Sequence, residues 1–134
     1  MASSSNRFMV LAARYVELSN KKELSTIFKM FSPTAIYRSV GVGDHQGLPD
    51  IQQMMTSFFA LRSDITWVVE KLYIRDEDIE NVVTFDFTAT HTDDDGNRVL
   101  RKGVETIEFD TTSDLINSLE VEKIEVISVA PPEL

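Results

Sequence analysis

The sequence predicts an α+β fold in which three helices precede a largely antiparallel sheet. Two observations support this prediction. Apolar residues recur at spacings of three and four in three segments between residues 8 and 62, which is typical of helices that bury one face. From residue 64 onward the chain instead has four runs rich in β-branched and aromatic residues. Short polar segments separate these runs, and connections of that length join neighbouring antiparallel strands.

The helical part divides into three predicted helices and one short strand. Apolar spacing predicts helices over residues 8–20 and 21–31, and Pro33 ends the second because proline disfavours helix in the residue before it. Residues 34–40 predict a strand, and the glycines in residues 41–47 predict a mobile loop. Pro49 suits the first turn of a third helix, which extends to about residue 62.

The four later runs predict long strands whose connections are too short to hold crossover helices, which excludes a doubly wound sheet. The predicted strands are residues 64–75, 82–92, 99–109 and 119–129. With 134 residues and no internal linker, the chain predicts a single domain over residues 1–134, in which residues 1–6 form a disordered leader.

Composition narrows the possible partners. The net charge of -9 repels nucleic-acid phosphates and anionic membrane surfaces, and no apolar stretch has the length of a membrane span. The chain has no cysteine and two isolated histidines, so no metal site is predicted. The glycines of residues 41–47 lack the parallel βαβ unit of a dinucleotide site, so no cofactor is expected either. A cytoplasmic location is the resulting expectation.

Alternation along residues 82–92 separates the two faces of the predicted sheet. One face carries Val83, Phe85, Phe87, Ala89 and His91, which we expect to face the helices. The opposite face is rich in threonine, and it fits either water or the sheet of a second copy of the chain. A homodimer that pairs through this sheet face is therefore predicted.

The register of the next strand is open to two interpretations, because a shift of one residue turns every side chain over. A two-residue turn at Asp95-Gly96 places Asp86 opposite Glu105, which is a destabilising pair of like charges. A three-residue loop over residues 95–97, with Asn97 in the left-handed conformation, turns Glu105 inward instead. The three-residue loop is preferred, and it brings Glu105 next to Phe87 and His91 near Arg101.

Several segments together resemble the nuclear-transport-factor-2-like superfamily, and especially its SnoaL-like branch. The segments are residues 20–24 leading to 27–28, residues 31–35, the glycine loop 41–47, and the Thr-His-Thr step at residues 90–92. The resemblance implies a cone-shaped fold whose curved, antiparallel or mixed sheet wraps around the helices and a central pocket. It also implies frequent dimers and many activities on one scaffold. The aspartate base of steroid isomerases has no counterpart here, because residues 37–40 contain no carboxylate.

The resulting hypothesis is a protein that binds a small hydrophobic molecule, of polyketide or terpenoid type, and acts as an isomerase, cyclase or dehydratase. Glu105 is the predicted catalytic acid or base because desolvation raises the pKa of a carboxyl group, and His91 is a predicted proton relay. The predicted ligand-binding residues are Tyr15, Tyr37, Met55, Phe58, Trp67, Phe87 and Arg101. The alternatives are a non-catalytic ligand-binding module, whose pocket has no buried ionisable group, and a dimerisation module whose own aromatic residues fill the cavity.

Overall fold

The computed structural model describes residues 6–132. Residues 1–5 of the predicted leader lie outside this range, whereas Asn6 belongs to the fold. The side-chain oxygen of Asn6 accepts hydrogen bonds from the backbone N–H groups of Phe8 and Met9, at 2.8 and 3.2 Å, and so caps the first helix. The helices are α1 (Arg7–Asn20), α2 (Leu24–Phe28) and α3 (Leu48–Leu61), and the strands are β1 (Phe31–Ser39), β2 (Gly43–Gln46), β3 (Thr66–Tyr73), β4 (Val82–Thr92), β5 (Arg98–Phe109) and β6 (Ile116–Ala130).

Six strands form one mixed sheet in the order β2-β1-β6-β5-β4-β3. Strands β1 and β6 pair in parallel, and the other neighbours are antiparallel. The sheet does not close on itself. It curves around the helices, and the predicted α+β, cone-shaped fold is confirmed.

The core lies between the concave face of the sheet and the helices. Alternation in β4 directs Val83, Phe85, Phe87, Ala89 and His91 inward, and each of these side chains is buried, as predicted. Helix α1 contributes the complementary apolar stripe that the spacing of its sequence predicts. The main packing surface is therefore one face of the sheet against one face of each helix.

The predicted boundaries were wrong in the segment between α1 and α3. Helix α2 ends at Phe28, and β1 begins at Phe31 and includes Pro33. Proline is tolerated there because the pairing of β1 with β6 is irregular between Phe31 and Ile36, so no ladder hydrogen bond is lost. The predicted loop also contains β2, which pairs with β1 and extends the edge of the sheet.

The inward register of β5 is confirmed, although the turn uses different residues from those predicted. Asp93 and Asn97 form the last backbone pair, and the loop between them is residues 94–96. Gly96, with φ of 84°, takes the left-handed position that was predicted for Asn97. The Asp93 carboxylate accepts hydrogen bonds from the N–H groups of Asp95 and Asn97, which stabilises this turn. Glu105 consequently pairs with Phe85 in the ladder, rather than with Phe87.

No helix among residues 6–132 is long and apolar enough to cross a membrane.

Gly103 sits where β4, β5 and β6 are packed most tightly. It pairs with Phe87, whose ring lies over the place that a side chain at residue 103 would occupy. A Cβ atom there would lie 2.5 Å from Cζ of Phe87 and 2.5 Å from the backbone oxygen of Lys123. The absence of a side chain at residue 103 thus allows Phe87 to lie flat against the sheet beneath the helices.

Gly103→Ala is expected to destabilise the protein by about 1–3 kcal/mol, because the added methyl group overlaps backbone as well as ring atoms. Urea unfolding followed by circular dichroism measures this change. Gly41→Ala is the matched control, because its Cβ would meet only side-chain atoms, namely the end of the flexible Ile124 side chain at 2.9 Å and Oγ of Ser39 at 3.5 Å. Equal stability losses in the two variants would contradict the packing role of Gly103.

Candidate active site

The concave face of the sheet and the helices enclose a cavity of about 440 Å³. Its volume is within the range of small-molecule sites. Helices α1 and α3 form one wall, β1 and β2 form the rim with the segment between them, and β3 to β6 form the floor. The cavity is open, so its own aromatic side chains do not fill it, contrary to what the dimerisation-only alternative requires.

All nine residues that the sequence predicts for the site line this one cavity. They are Glu105, His91, Tyr15, Tyr37, Met55, Phe58, Trp67, Phe87 and Arg101. Their roles in catalysis or binding remain predictions, but their convergence on one space is a property of the structure.

Glu105 is a buried ionisable group whose neighbours on the same face of the sheet are apolar. Its side chain projects from the concave face of β5, between Gly103 and Ile107, and the residue is 6% exposed. Its Oε2 atom has no hydrogen-bond partner among residues 6–132. Burial raises the pKa of Glu105 to about 8. The carboxyl group is therefore mostly protonated at neutral pH and able to donate a proton.

Two tyrosines approach the same end of the cavity. Tyr15 comes from α1 and Tyr37 from β1. Burial is the main cause that raises the pKa of each phenol, and the charge of Glu105 adds to both increases. Both phenols therefore stay neutral across the physiological range. They can donate hydrogen bonds to a bound molecule on the same side as Glu105.

A cationic cluster, Arg62, His91 and Arg101, lies at a different part of the cavity wall. Nε of Arg101 donates a hydrogen bond to Nε2 of His91 at 3.1 Å, and one guanidinium nitrogen of Arg62 lies 3.2 Å from both ring nitrogens. This Arg62 nitrogen lies over the face of the His91 ring, because an atom in the plane of the ring at equal distance from both nitrogens would overlap Cε1. His91 is thus held between two guanidinium groups.

The protonation state of His91 follows from this arrangement. His91 is 1% exposed. Burial is the main cause that lowers the pKa of His91, and the charges of Arg62 and Arg101 lower it further. The ring is neutral at physiological pH, with Nε2 accepting from Arg101. A proton added to Nε2 would displace the hydrogen bond from Arg101, so the relay role of His91 stays a prediction.

Aromatic side chains form an apolar wall of the cavity. Trp67 packs against Phe58 and Phe59, with ring centroids 6.3 and 5.8 Å away. Met54 and Met55 continue this wall along α3. Their flexible side chains can adapt to the shape of a bound molecule.

Two functional candidates were not predicted from the sequence. Arg62 follows Phe58 by four residues at the end of α3, so helical spacing places it on the cavity side and could have identified it. His45 lines the rim, where its Nδ1 lies 3.2 Å from a carboxylate oxygen of Asp50 and its Nε2 lies 3.0 Å from the backbone oxygen of Val42. The sequence does not identify this pair, because the glycines of residues 41–47 predict a mobile loop rather than a strand that positions His45.

No group of three potential metal ligands occurs within the described residues 6–132.

A cone-shaped α+β fold around one largely apolar cavity defines a small-molecule pocket protein. The family model of the SnoaL-like domain matches residues 12–116, and the chain belongs to this family.

Solved structures share the fold at low sequence identity. The epoxide hydrolase/cyclase-like enzyme SalBIII is 19% identical, with a TM-score of 0.77 over 93% of this chain and 95% of that one. SalBIII has a role in the formation of the pyran ring in the polyether salinomycin. A Mycobacterium tuberculosis protein in complex with estradiol-17beta-hemisuccinate is 10% identical, with a TM-score of 0.74 over 87% and 93% of the two chains. A Burkholderia pseudomallei protein of unknown function, described as ntf2-like, is 13% identical, with a TM-score of 0.74 over 88% and 90%. No curated protein matches the chain significantly.

The buried carboxyl group makes stability depend on pH in a defined direction. The pKa of Glu105 rises from 4.5 to about 8 on folding. As the pH is raised, the Glu105 carboxyl group therefore loses its proton at a lower pH in the unfolded chain than in the folded protein. The contribution of Glu105 to the free energy of unfolding is fully present below pH 4.5. It is lost as the pH rises to about 8, and the loss is on the order of 4 to 5 kcal/mol. Glu105→Gln is therefore expected to become increasingly stable relative to the wild type over this interval.

Urea unfolding at several pH values between 4.5 and 9 measures the difference between the two proteins. Glu108→Gln is the matched control, because it makes the same change on the exposed side of the same strand. Stability curves for the wild type and Glu105→Gln that run parallel over the whole interval would contradict the burial of an ionisable Glu105.

Proposed function

We propose that this protein is a proton-transfer enzyme, of the isomerase, cyclase or dehydratase type, which acts on a small hydrophobic molecule with Glu105 as general acid. The observation that supports the proposal most strongly is the carboxyl group of Glu105, buried in an open apolar cavity and without a hydrogen-bond partner for Oε2 among the described residues. A buried, unpaired acid lowers stability, so a requirement of function accounts for it better than a requirement of folding.

The proposed chemistry places the reacting, polar part of the bound molecule at Glu105 and its apolar body against the aromatic wall. Protonated Glu105 donates its proton to the leaving oxygen of the substrate or to one end of a migrating double bond. The carboxylate that results then takes a proton from the attacking hydroxyl group or from a carbon atom of the substrate, so the acid is restored. Tyr15 and Tyr37 remain neutral and donate hydrogen bonds to a polar group nearby. The aromatic wall holds the apolar body of the substrate and excludes water. No cofactor is required for such a step, and the single domain and the cytoplasmic location remain part of the proposal.

Two of the structural neighbours suggest suitable substrate classes. SalBIII is an epoxide hydrolase/cyclase-like enzyme of polyether formation, and the Mycobacterium tuberculosis protein is in complex with a steroid ester. Both are similar to this chain in fold alone. They favour cyclic, largely apolar substrates as the first compounds to test, and a binding module without catalysis is the alternative that such a test addresses.

A substrate panel tests the proposed activity. Hydroxy-epoxides, β,γ-unsaturated cyclic ketones and tertiary alcohols represent ring closure, isomerisation and dehydration, and mass spectrometry with chromatography detects their products. One class is expected to be converted by the wild type and to lose about 10²- to 10⁴-fold in rate in Glu105→Gln, the usual range for removal of a general acid. The rate of the active class should fall as the pH rises through about 8.

Glu108→Gln is the control for the charge change. A rate in Glu105→Gln equal to that of the wild type would contradict the role of Glu105, whereas binding of the panel without conversion would favour the non-catalytic module.

We also propose that two copies pair through the outer face of the sheet, away from the cavity. This face has an exposed Val68, 57% accessible, next to Thr88. It also carries charges of both signs, with Lys102 beside Glu125 in the ladder between β5 and β6. Two copies related by a twofold axis can place opposite charges together on such a face, despite the net charge of -9.

Light scattering after size exclusion is expected to give a mass twice the 15.2 kDa of one chain. Thr88→Glu, which adds a negative charge at the centre of the proposed interface, should yield the monomer. Ser25→Glu on exposed α2 is the control and should leave the dimer intact. A monomeric wild type would contradict the dimer.

A further inference from the structure

Among residues 6–132, three of the seven arginines pair with a carboxylate and four do not, and two of these four, Arg62 and Arg101, line the cavity. Arg7, Arg75 and Arg98 each pair with a carboxylate, at 3.0, 2.7 and 2.7 Å. Within residues 6–132, neither Arg62 nor Arg101 has a carboxylate at ion-pair distance. The chain has 22 acidic residues against 13 basic ones, so partners are abundant. Two unpaired guanidinium groups are therefore concentrated at one part of the cavity wall.

The cluster has the composition of an anion site. Arg62 and Arg101 repel each other, and the pKa of Arg101 is lowered by burial and then by the charge of Arg62. His91, which is 1% exposed, separates them and orients Arg101 by accepting a hydrogen bond from its Nε. With Nε of Arg101 engaged, its terminal nitrogens remain to contact a bound molecule. An anion here relieves the repulsion between two partly desolvated cations.

We propose that Arg62, His91 and Arg101 form a carboxylate subsite, and that the molecule in the cavity is a hydrophobic carboxylic acid bound as its anion. The inference deepens the proposed function, on which it rests, by giving its substrate a charged end. A single planar carboxylate matches the planar fork of a guanidinium. A phosphate carries more charge into a protein whose net charge is already -9, and it fits the surrounding apolar walls less well.

The position of the subsite also sets the length of the substrate. Arg101 and Glu105 lie four residues apart on the same face of β5, which is a separation of about 13 Å along the strand. The carboxylate and the atom that Glu105 protonates therefore lie at opposite ends of the molecule. The apolar body between them spans the aromatic wall, and the negative end stays away from the acid.

Matched ligands with and without the charge test this inference. Decanoate, 1-decanol and decyl phosphate share one apolar chain and differ in the headgroup. Trp67 is the one tryptophan in the sequence and lines the cavity, so its fluorescence reports binding. At pH 7 decanoate is expected to bind at least about tenfold more tightly than 1-decanol, which is the difference that a charge-assisted hydrogen bond provides. It should also bind more tightly than decyl phosphate.

Variants identify the source of this preference. Arg62→Gln and Arg101→Gln should reduce the ratio of the decanoate and decanol affinities to within about twofold, with decanol binding retained as the measure of an intact cavity. Arg38→Gln is the matched control, because it removes an equal charge from the exposed face of β1, and it should keep the wild-type ratio.

The outcomes separate this inference from the proposed function. Equal binding of decanoate and decanol to the wild type would overturn the carboxylate subsite while leaving the pocket for hydrophobic molecules intact. Tighter binding of decyl phosphate would likewise overturn the assignment of a carboxylate. Failure of all three ligands to bind would overturn both proposals. If a cluster variant does not fold, the ratio measured for the wild type still decides.

Discussion

The burial of the Glu105 carboxyl group is the constraint around which the site is organised. Its Oε2 atom has no hydrogen-bond partner among the described residues. Glu105 occupies a position in the sheet where its neighbours on the same face are apolar, and burial raises its pKa to about 8. A cationic partner at hydrogen-bond distance would hold the carboxyl group ionised at neutral pH and so prevent it from donating a proton. The fold thus accepts a loss of stability at this point, and the rigid packing of the surrounding sheet offsets it. Gly103 belongs to that packing, because its missing side chain lets Phe87 cover the sheet between Glu105 and Arg101.

The cavity is divided by charge. Glu105, Tyr15 and Tyr37 provide neutral donors at one end, whereas Arg62, His91 and Arg101 concentrate positive charge at another. Strand β5 carries both Glu105 and Arg101, so one strand fixes the distance between the two groups. A molecule that satisfies both ends has a defined length and polarity, and its orientation in the cavity is set before any proton moves. The aromatic wall formed by Phe58, Phe59 and Trp67 adds affinity but little direction.

Much of this arrangement followed from the sequence, and the failures have physical causes. The alternation of inward and polar outward residues in β4 is regular from Val83 to Thr92, so the inward face could be predicted residue by residue. The inward direction of Glu105 depended on avoiding a like-charge pair with Asp86, and that electrostatic argument was sound. The turn itself was not predictable in detail, because Asp94, Asp95, Gly96 and Asn97 all suit turns, and the choice of Gly96 depends on the pairing of Asp93 with Asn97. The irregular pairing that admits Pro33 into β1 arises from contacts with β6, which is far away in sequence. The pairing of β2 with β1 is local, but the glycines of residues 41–47 predict a loop there. The sequence does not predict Arg62 as a site residue, because an arginine at the end of a helix normally extends into water.

The protonation state of Glu105 at neutral pH is the central claim of this account. Nuclear magnetic resonance of protein labelled with ¹³C at the glutamate carboxyl carbon measures it directly, with Glu105→Gln used to assign the signal. The account predicts that the Glu105 signal titrates near pH 8. A Glu105 signal that titrates below about pH 5, as for a solvated glutamate, would contradict it.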